Sequence, residues 1–360
     1  MQEPSDLAPA EAPWQPVLPG GQLDRAGKAA NQAAARHRFS AYRQRRATET
    51  LRRQEADLGL FAQFLTDLLD IEIGDLSSRP LAWRGITWGL VEAFIKWQLE
   101  QGYAVSSINV HLSTIKSYAR LAMQAGVLTD QEYALIRAVQ GYSRKEHRRI
   151  DSKRLRTRIG AKKENPVTIT PDQARALKFG HDLEKGQGRR DSLLMCLLLD
   201  HGLRVGEVAA LVVEELDLNL GQLRFYRSKV GKEQVHRLSA DTLRAARAYA
   251  SSGDMPAGGF LLRRSKKNEE LGKAGMTGRA ITLRVSELGK RHGLFGLSAH
   301  DCRHYWATSA ARHGTDPFSL QEAGGWSSLA MPRRYIEDNK IANEGVRLEP
   351  DFKKGIQTGG

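Results

Sequence analysis

The chain has 360 residues, of which 41% are hydrophobic, and this is enough for two domains with cores of their own. Its formal net charge of +14 favours a polyanionic partner, with nucleic acid ahead of an anionic membrane surface. The N-terminus lacks the order of a signal peptide, and no apolar run approaches the length of a membrane span. The two cysteines, Cys196 and Cys302, have no metal-type spacing. We therefore expect a soluble intracellular protein without a disulfide framework.

The first 46 residues have no hydrophobic period. Residues 1–20 contain five of the twelve prolines and are predicted to be a disordered leader. Residues 25–46 are basic and rich in alanine, which is compatible with a helix or with an arm that becomes ordered on DNA. We therefore define residues 1–46 as a leader followed by a basic arm.

Residues 47–141 show the spacing of four helices joined by short loops. The first helix starts at Thr48, Thr87 caps the second, Ser106 or Ser107 caps the third, and Thr129 opens the fourth. Loops this short predict a bundle. A bundle rich in Arg, Lys, Gln and Asn could lay a helix across a phosphate backbone, but the periodicity fits an ordinary helical domain equally well.

The segment from 142 to 166 is predicted to be a basic linker. Residues 142–163 contain ten Lys or Arg against two Asp or Glu, with few large apolar side chains. Cations at this density would track the phosphates of a DNA that the linker crosses. The alternative, a solvated spacer, is weaker because the charge is so one-sided.

Residues 167–340 are predicted to form a second domain, followed by a tail at 341–360. Thr170 and Pro171 start a helix, and residues 189–201 form a buried helix. Two strands, at 222–228 and 235–239, form a hairpin with Lys229 and Lys232 at its tip. Further elements are expected in this order: a helix at 240–251, a strand at 260–263, a basic loop at 265–275, and helices at 277–292 and 301–313. The fold class is therefore mainly α with a small antiparallel β-sheet (α+β).

The second domain contains the residue types needed to break a DNA phosphodiester without metal. Fixed guanidinium groups can hold the charged oxygens of the transition state, a tyrosine can attack the phosphorus, and a lysine ammonium can protonate the leaving oxygen. No P-loop and no metal-type cluster is present in the sequence. The candidates are Arg204, Lys229, His300, Arg303, Trp326 and Tyr335. Each has an ordinary structural explanation by itself, such as a salt bridge between Arg204 and Glu207, so the inference depends on their common order.

At these residues the chain resembles the tyrosine recombinases, or phage integrase family. The resemblance rests on GLRVGEVAAL (202–211), RSKVGKEQVHRL (227–238), AHDCRHYWAT (299–308), and GGW followed by nine residues to Tyr335. The helices at 48–141 resemble the core-binding domain of the family, most clearly in SSINVHLSTIKSYARLA. The resemblance covers the chain from Thr48 to Asp338.

The resemblance implies a role for each candidate residue. Tyr335 would be the nucleophile that forms a 3′-phosphotyrosyl link. Arg204 and Arg303 would hold the scissile phosphate. Lys229 would be the general acid, with Lys232 as its rival. The remaining roles are His300 as the acid/base histidine, Trp326 as a donor that cannot transfer a proton, Glu207 as a structural partner of Arg204 or a helix cap, and His304 as a core or functional residue.

The resemblance also implies a site-specific DNA recombinase or integrase that works without metal, ATP or any cofactor. The expected partners are double-stranded DNA, a homo-tetramer on two DNA sites and accessory directionality proteins, in the prokaryotic cytoplasm at the nucleoid, with no membrane. Two alternatives stay open: an architectural or regulatory DNA-binding protein on the same fold, and a type IB topoisomerase-like nicking and relaxing enzyme. The short leader at 1–46 argues against a recognisable arm-binding domain.

Overall fold

The computed structural model describes residues 20–155, 157, 159, 163, 165–266 and 270–337. The chain divides into two compact units, Met1–Lys162 and Lys163–Gly360. Each unit has its own hydrophobic core. Residues 1–19 of the leader predicted at 1–20, and the whole tail predicted at 341–360, lie outside the described residues.

The first unit consists of helices and loops, with no β-strand among its described residues. Its helices are α1 Gly20–Arg36, α2 Arg38–Gln44, α3 Thr48–Leu69, α4 Trp88–Glu100, α5 Val105–Gln124, α6 Asp130–Ala138 and α7 Arg144–Asp151, with a 3-10 turn at Pro80–Trp83. Helix α5 packs against α3, α4 and α6, so the four predicted helices share one core. Residues 25–44 lie in the two helices α1 and α2, apart from His37, and Phe39 of α2 is buried in this core. The DNA-binding arm stays a prediction.

Three local details of the first unit differ from the prediction. Helix α5 begins at Val105, and neither Ser106 nor Ser107 caps it, because the chain already enters helical geometry after Ala104. Thr87 precedes α4, but its side chain makes no capping hydrogen bond, whereas Thr129 does cap α6. The predicted linker contains α7, which composition did not indicate; Ser143 and Glu146 form a reciprocal capping box at its start.

The second unit surrounds one buried helix with further helices and two small sheets. Its helices are α8 Pro171–Phe179, α9 Gly186–Asp200, α10 Val205–Ala210, α11 Ala240–Ser251, α12 Gly278–Arg291, α13 Ala299–Arg312, α14 Pro317–Gly324 and α15 Ala330–Glu337. Helix α9 packs against α8, α11 and α13, and its segment from Leu193 to Leu199 is completely covered. Thr170 caps α8 with Pro171 at the first helical position, as predicted.

The strands form two antiparallel sheets within the described residues. The first has the order β1 Leu216–Asp217, β2 Gln222–Arg227 and β3 Lys232–Arg237, with Gln222 opposite Arg237 and Arg227 opposite Lys232. The second pairs β4 Arg263–Ser265 with β5 Leu271–Gly275. The predicted strand at 260–263 was therefore placed too early. The predicted loop at 265–275 was wrong for residues 271–275, which form β5, and its residues 267–269 lie outside the described ones. The glycines and polar side chains of the segment hide the strand signal. The backbone N–H of Lys266 nevertheless donates a hydrogen bond to the carbonyl oxygen of Glu270.

The predicted fold class is confirmed: the chain is mainly α with small antiparallel β-sheets. None of the helices in the described ranges combines the length and the apolar composition that crossing a membrane requires.

Candidate active site

Arg204 lies between a buried helix and a short, partly buried one. Helix α9 ends at Asp200, and Arg204 is the last residue before α10. The backbone N–H of Arg204 donates a hydrogen bond to one carboxylate oxygen of Glu207, and Nη1 of the Arg204 side chain donates to the other. Each donor–acceptor distance is 2.8 Å. Glu207 therefore caps α10 and also orients the Arg204 side chain, so both structural roles considered for it are present.

His300 and Arg303 occupy the first turns of α13, three residues apart and hence on one face. Arg303 is only 4% exposed, and it donates to the carbonyl oxygens of Gly202 and Gly324, each at 2.5 Å. Burial, followed by repulsion from Arg204 and Arg227, lowers the pKa of Arg303 to about 9. The guanidinium therefore still carries its charge at neutral pH.

The pKa of His300 is also lowered from the usual value for histidine. Partial burial is the largest cause; the neighbouring Asp301 opposes it, while Arg303, Lys163 and Lys229 act in the same direction as burial. The imidazole of His300 is therefore mostly neutral at pH 7 and can accept a proton.

Trp326 follows the end of α14, where two glycines allow a close turn. Gly325 has a left-handed backbone with φ of 57°, and a Cβ on Gly324 would lie 2.0 Å from the Trp326 ring. The guanidinium carbon of Arg303 lies 4.5 Å from the centre of the Trp326 ring. The indole is thus fixed beside one of the two candidate phosphate-binding arginines.

Lys229 lies in the turn between β2 and β3, and Lys232 is the first residue of β3. The ammonium of Lys232 pairs with the exposed carboxylate of Glu322. Lys229 instead lines the cavity that contains the arginines. The surroundings of the two side chains therefore favour Lys229 over Lys232 as the lysine of the site.

Five of the six candidates line a single cavity of about 480 Å³. The lining residues are Leu203, Arg204, Val205, Lys229, Thr282, Ser298, Ala299, His300, Arg303 and Trp326. Two guanidiniums, an ammonium and an indole around one cavity make a site for an anion. Within the described residues, His, Cys, Asp and Glu side chains do not form any group of three or more that could hold a metal ion.

Tyr335, the sixth candidate, is on α15 beside the cavity and does not belong to its lining. Its side chain is only 3% exposed. Its ring centre lies 5.8 Å from that of Trp326 and 5.2 Å from that of His304, whose ring lies 4.8 Å from that of His300. The rings of His300, His304 and Tyr335 therefore form a continuous series of contacts. His304 therefore lies between His300 and Tyr335 without lining the cavity, and its role stays open.

Sequence reasoning missed Arg227, which is completely buried between Glu207 and the end of α14. The signal was present: side chains alternate along β2, and Arg227 shares the buried face with Leu223 and Phe225. A charged residue at a core position of an alternating strand needs partners, and it should have drawn attention.

Residues 168–341 match the model of the Phage integrase family. The matched segment contains all six candidate residues. A curated relative, tyrosine recombinase XerC of Pelobacter propionicus, is 30% identical over 174 residues, which cover 47% of this chain and 55% of the relative. Tyrosine recombinase XerC of Chlamydia pneumoniae is 26% identical over 253 residues, covering 69% of this chain and 72% of the relative.

A solved structure extends the similarity in fold. The chain resembles a lambda integrase tetramer bound to a Holliday junction with a TM-score of 0.55 at 17% identity, over 86% of this chain and 82% of that one. The resemblance to the tyrosine recombinases of the phage integrase family, inferred from the motifs, is confirmed by the family match and the two curated relatives, and the solved structure adds the similarity in fold. The roles of the individual residues stay predictions.

Proposed function

We propose that the protein is a site-specific DNA recombinase that cuts and rejoins DNA through a covalent bond between Tyr335 and a 3′-phosphate. The observation that supports this most strongly is the cavity in which Arg204, Lys229, His300, Arg303 and Trp326 meet, with Tyr335 packed against Trp326. The five cavity side chains come from four separate segments of the second unit, and Tyr335 comes from a fifth. Their convergence is what a phosphate site requires and what their individual structural explanations do not predict.

The proposed chemistry follows from what each group can do. The phenol oxygen of Tyr335 attacks the phosphorus while the bond to the 5′ oxygen breaks. The neutral imidazole of His300 takes the phenolic proton, and the ammonium of Lys229 gives a proton to the leaving 5′ oxygen. Rejoining is the reverse: the 5′-hydroxyl attacks the phosphotyrosyl phosphorus, and each proton returns.

Arg204, Arg303 and Trp326 are proposed to stabilise the charge that gathers on the non-bridging oxygens. Guanidinium groups suit this role because they stay charged and can hold two oxygens at once. The indole N–H of Trp326 can donate a hydrogen bond but cannot carry a proton, so it would bind and not titrate. Because these groups neutralise the phosphate charge, the proposed reaction needs no metal and no nucleotide.

Tyr335 has to gain access to the phosphate before it can attack. At 3% exposure its side chain is covered by the small apolar cluster of Ala307 and Leu320, with Trp326 at its edge. We therefore propose that α15 moves when DNA occupies the cavity. A tetramer on two DNA sites is the proposed working assembly, supported by the similar fold of a lambda integrase tetramer on a Holliday junction.

The first unit is proposed to bind the same DNA and to contribute affinity. Lys116, Arg120 and Arg137 line one groove of about 470 Å³ on α5 and α6. Burial, and repulsion from Arg137, lower the pKa of Lys116. A phosphate bound in this groove would offset the repulsion among these positive side chains. The combined Arg120→Ala and Arg137→Ala variant should bind DNA more weakly, with a salt slope shallower by about 0.9 for each phosphate that the variant no longer neutralises.

The proposal is tested with a nicked duplex that traps the covalent intermediate, built on a site selected by binding from random DNA. The wild-type protein should form an adduct that survives denaturation, and Tyr335→Phe should bind the same duplex without forming it. An adduct of unchanged yield in Tyr335→Phe would show that another residue attacks.

The alternatives give different outcomes in the same experiment. Specific binding without any adduct favours an architectural or regulatory DNA-binding protein. An adduct that relaxes supercoiled plasmid but never yields recombinants from two sites favours a topoisomerase-like enzyme.

A further inference from the structure

The C-terminal end of α14 is held by side chains from four other segments: β2, β3, α13 and the residue before α10. Four successive carbonyl oxygens accept hydrogen bonds there: Glu322 from Gln234, Ala323 from Arg227, Gly324 from Arg303 and Gly325 from Arg204, at distances between 2.5 and 2.9 Å. The last carbonyls of a helix lack partners within the helix and carry partial negative charge. Three of the four donors are guanidiniums, and two of these are the candidate phosphate-binding arginines.

Arg227 is the one of these three guanidiniums that sequence reasoning did not place in the site. Its side chain is completely buried, and its three nitrogens each have an acceptor. Nη1 donates to Glu207 at 2.8 Å, Nη2 to the Ala323 carbonyl at 2.6 Å, and Nε to the side-chain oxygen of Gln234. Arg227 thereby joins β2 to α10, β3 and α14, and it does not line the cavity.

The same carboxylate serves Arg227 and Arg204. Oε2 of Glu207 accepts from Arg227 and from the backbone of Arg204, while Oε1 accepts from the Arg204 side chain. If Arg227 is removed, Glu207 loses a buried counter-charge and the Ala323 carbonyl loses its donor. Both changes would loosen groups that hold Arg204 and Arg303 directly.

We propose that Arg227 is a positioning residue for DNA cleavage: it fixes Glu207 and the end of α14, and these in turn hold the guanidiniums of Arg204 and Arg303 at the phosphate. This inference rests on the proposed recombinase function. It assigns Arg227 no contact with DNA. It also predicts that Arg227 affects the stabilisation of the non-bridging oxygens by Arg204 and Arg303. Protonation of the leaving oxygen by Lys229 should not depend on Arg227, although the two residues are only two positions apart.

Gly325 fits this arrangement because its position leaves room for Arg227. A Cβ on Gly325 would lie 2.3 Å from Cδ of Arg227, and the backbone there has φ of 57°. Gly325→Ala should therefore displace the Arg227 side chain as well as strain the turn. If the two residues act through one network, their effects on the cleavage rate are less than additive.

The test compares two substrates that differ in the leaving atom. One trapping duplex has the natural 5′ oxygen, and the other has sulfur at that bridging position, which leaves as a thiolate without needing a proton. Single-turnover cleavage is measured at saturating DNA, well below the melting temperature of each variant. Lys229→Ala is the control. It should cleave the oxygen substrate slowly, and its cleavage rate should recover on the sulfur substrate, whose leaving group needs no proton.

Arg227→Lys and Arg227→Met should each lose on the order of 100-fold in rate on both substrates, comparable to the loss of one transition-state donor. Their DNA affinity should stay within about threefold of wild type. Arg227→Lys keeps the charge but cannot bridge the three acceptors, so it should not restore the rate. Gly325→Ala combined with Arg227→Met should be little slower than Arg227→Met alone.

Wild-type rates for both Arg227 variants would overturn the inference. Recovery of these variants on the sulfur substrate would also overturn it, because Arg227 would then act through Lys229. Additive effects of Gly325→Ala and Arg227→Met would contradict the shared network. These outcomes are distinct from failure of the proposed function, which would appear as a wild-type protein that forms no adduct on either substrate.

Discussion

Glu207→Gln should destabilise the second unit strongly although it changes one atom of a side chain. The carboxylate of Glu207 is 5% exposed and accepts three hydrogen bonds at 2.8 Å, one of them from the completely buried Arg227. Removing one partner of a buried ion pair costs about 3–5 kcal/mol. Glutamine keeps one acceptor oxygen, so we expect the lower end of this range, about 3 kcal/mol.

This loss of stability can be measured as a melting temperature, with a matched control in the same chain. For a unit of this size, about 3 kcal/mol corresponds to a decrease of roughly 6–12 °C. Glu322→Gln is the control, because Glu322 pairs with Lys232 where both side chains are more than half exposed, and such pairs contribute about 0–1 kcal/mol. Equal melting temperatures for the two variants in calorimetry would refute the reasoning.

Three further predictions concern the donor at 326, the buried histidines and metal. Trp326→Phe should cleave DNA about 10²-fold more slowly than wild type in single-turnover assays, whereas Trp326→His, which restores an N–H donor, should lie within about tenfold; equal rates for the two variants would exclude the donor role. Burial lowers the pKa of His201 to about 4, and burial with repulsion from His201 and Arg227 lowers the pKa of His236 to about 3. Since the unfolded histidines titrate near pH 6.5, the unfolded state binds more protons below that pH, and the free energy of unfolding should decrease as the pH falls from about 6.5 to 4. Urea unfolding across this window should show a shallower decrease for His201→Gln; an unchanged slope would contradict the assignment. Adduct formation should proceed equally fast in EDTA and in Mg²⁺, and a rate restored only by Mg²⁺ would show that the arginines do not suffice.

The sequence predicted most of the fold because the strongest signals in it are local. Hydrophobic spacing located α3 to α6, and the Thr170-Pro171 start of α8 was correct because capping and proline geometry depend on adjacent residues. The hairpin β4–β5 was missed because its pairing is made by backbone groups, whereas its side chains resemble those of a loop. Helix α7 was missed because charge composition outweighed its capping box.

The candidate site was predictable as a set of residue types in order but not as a geometry. The motifs named Arg204, Arg303 and Trp326. The successive carbonyl oxygens at the end of α14 that hold the two arginines are brought to them only when α14 packs against β2 and α13. The burial of Tyr335 could not be predicted either, since it depends on the packing of α15 against α13. Hydrogen bonds and packing between residues far apart in the chain produce no regular spacing of residue types that a sequence would show.

The central claim is that the Tyr335 oxygen becomes bonded to the 3′-phosphate of cut DNA. The most direct measurement is mass spectrometry of the trapped adduct after digestion of the protein and the DNA. We predict a nucleotide-bearing peptide that contains Tyr335, with fragmentation placing the added mass on that residue and a free 5′-hydroxyl on the other DNA end. A nucleotide on any other residue, or a 5′-phosphate linkage, would contradict the claim.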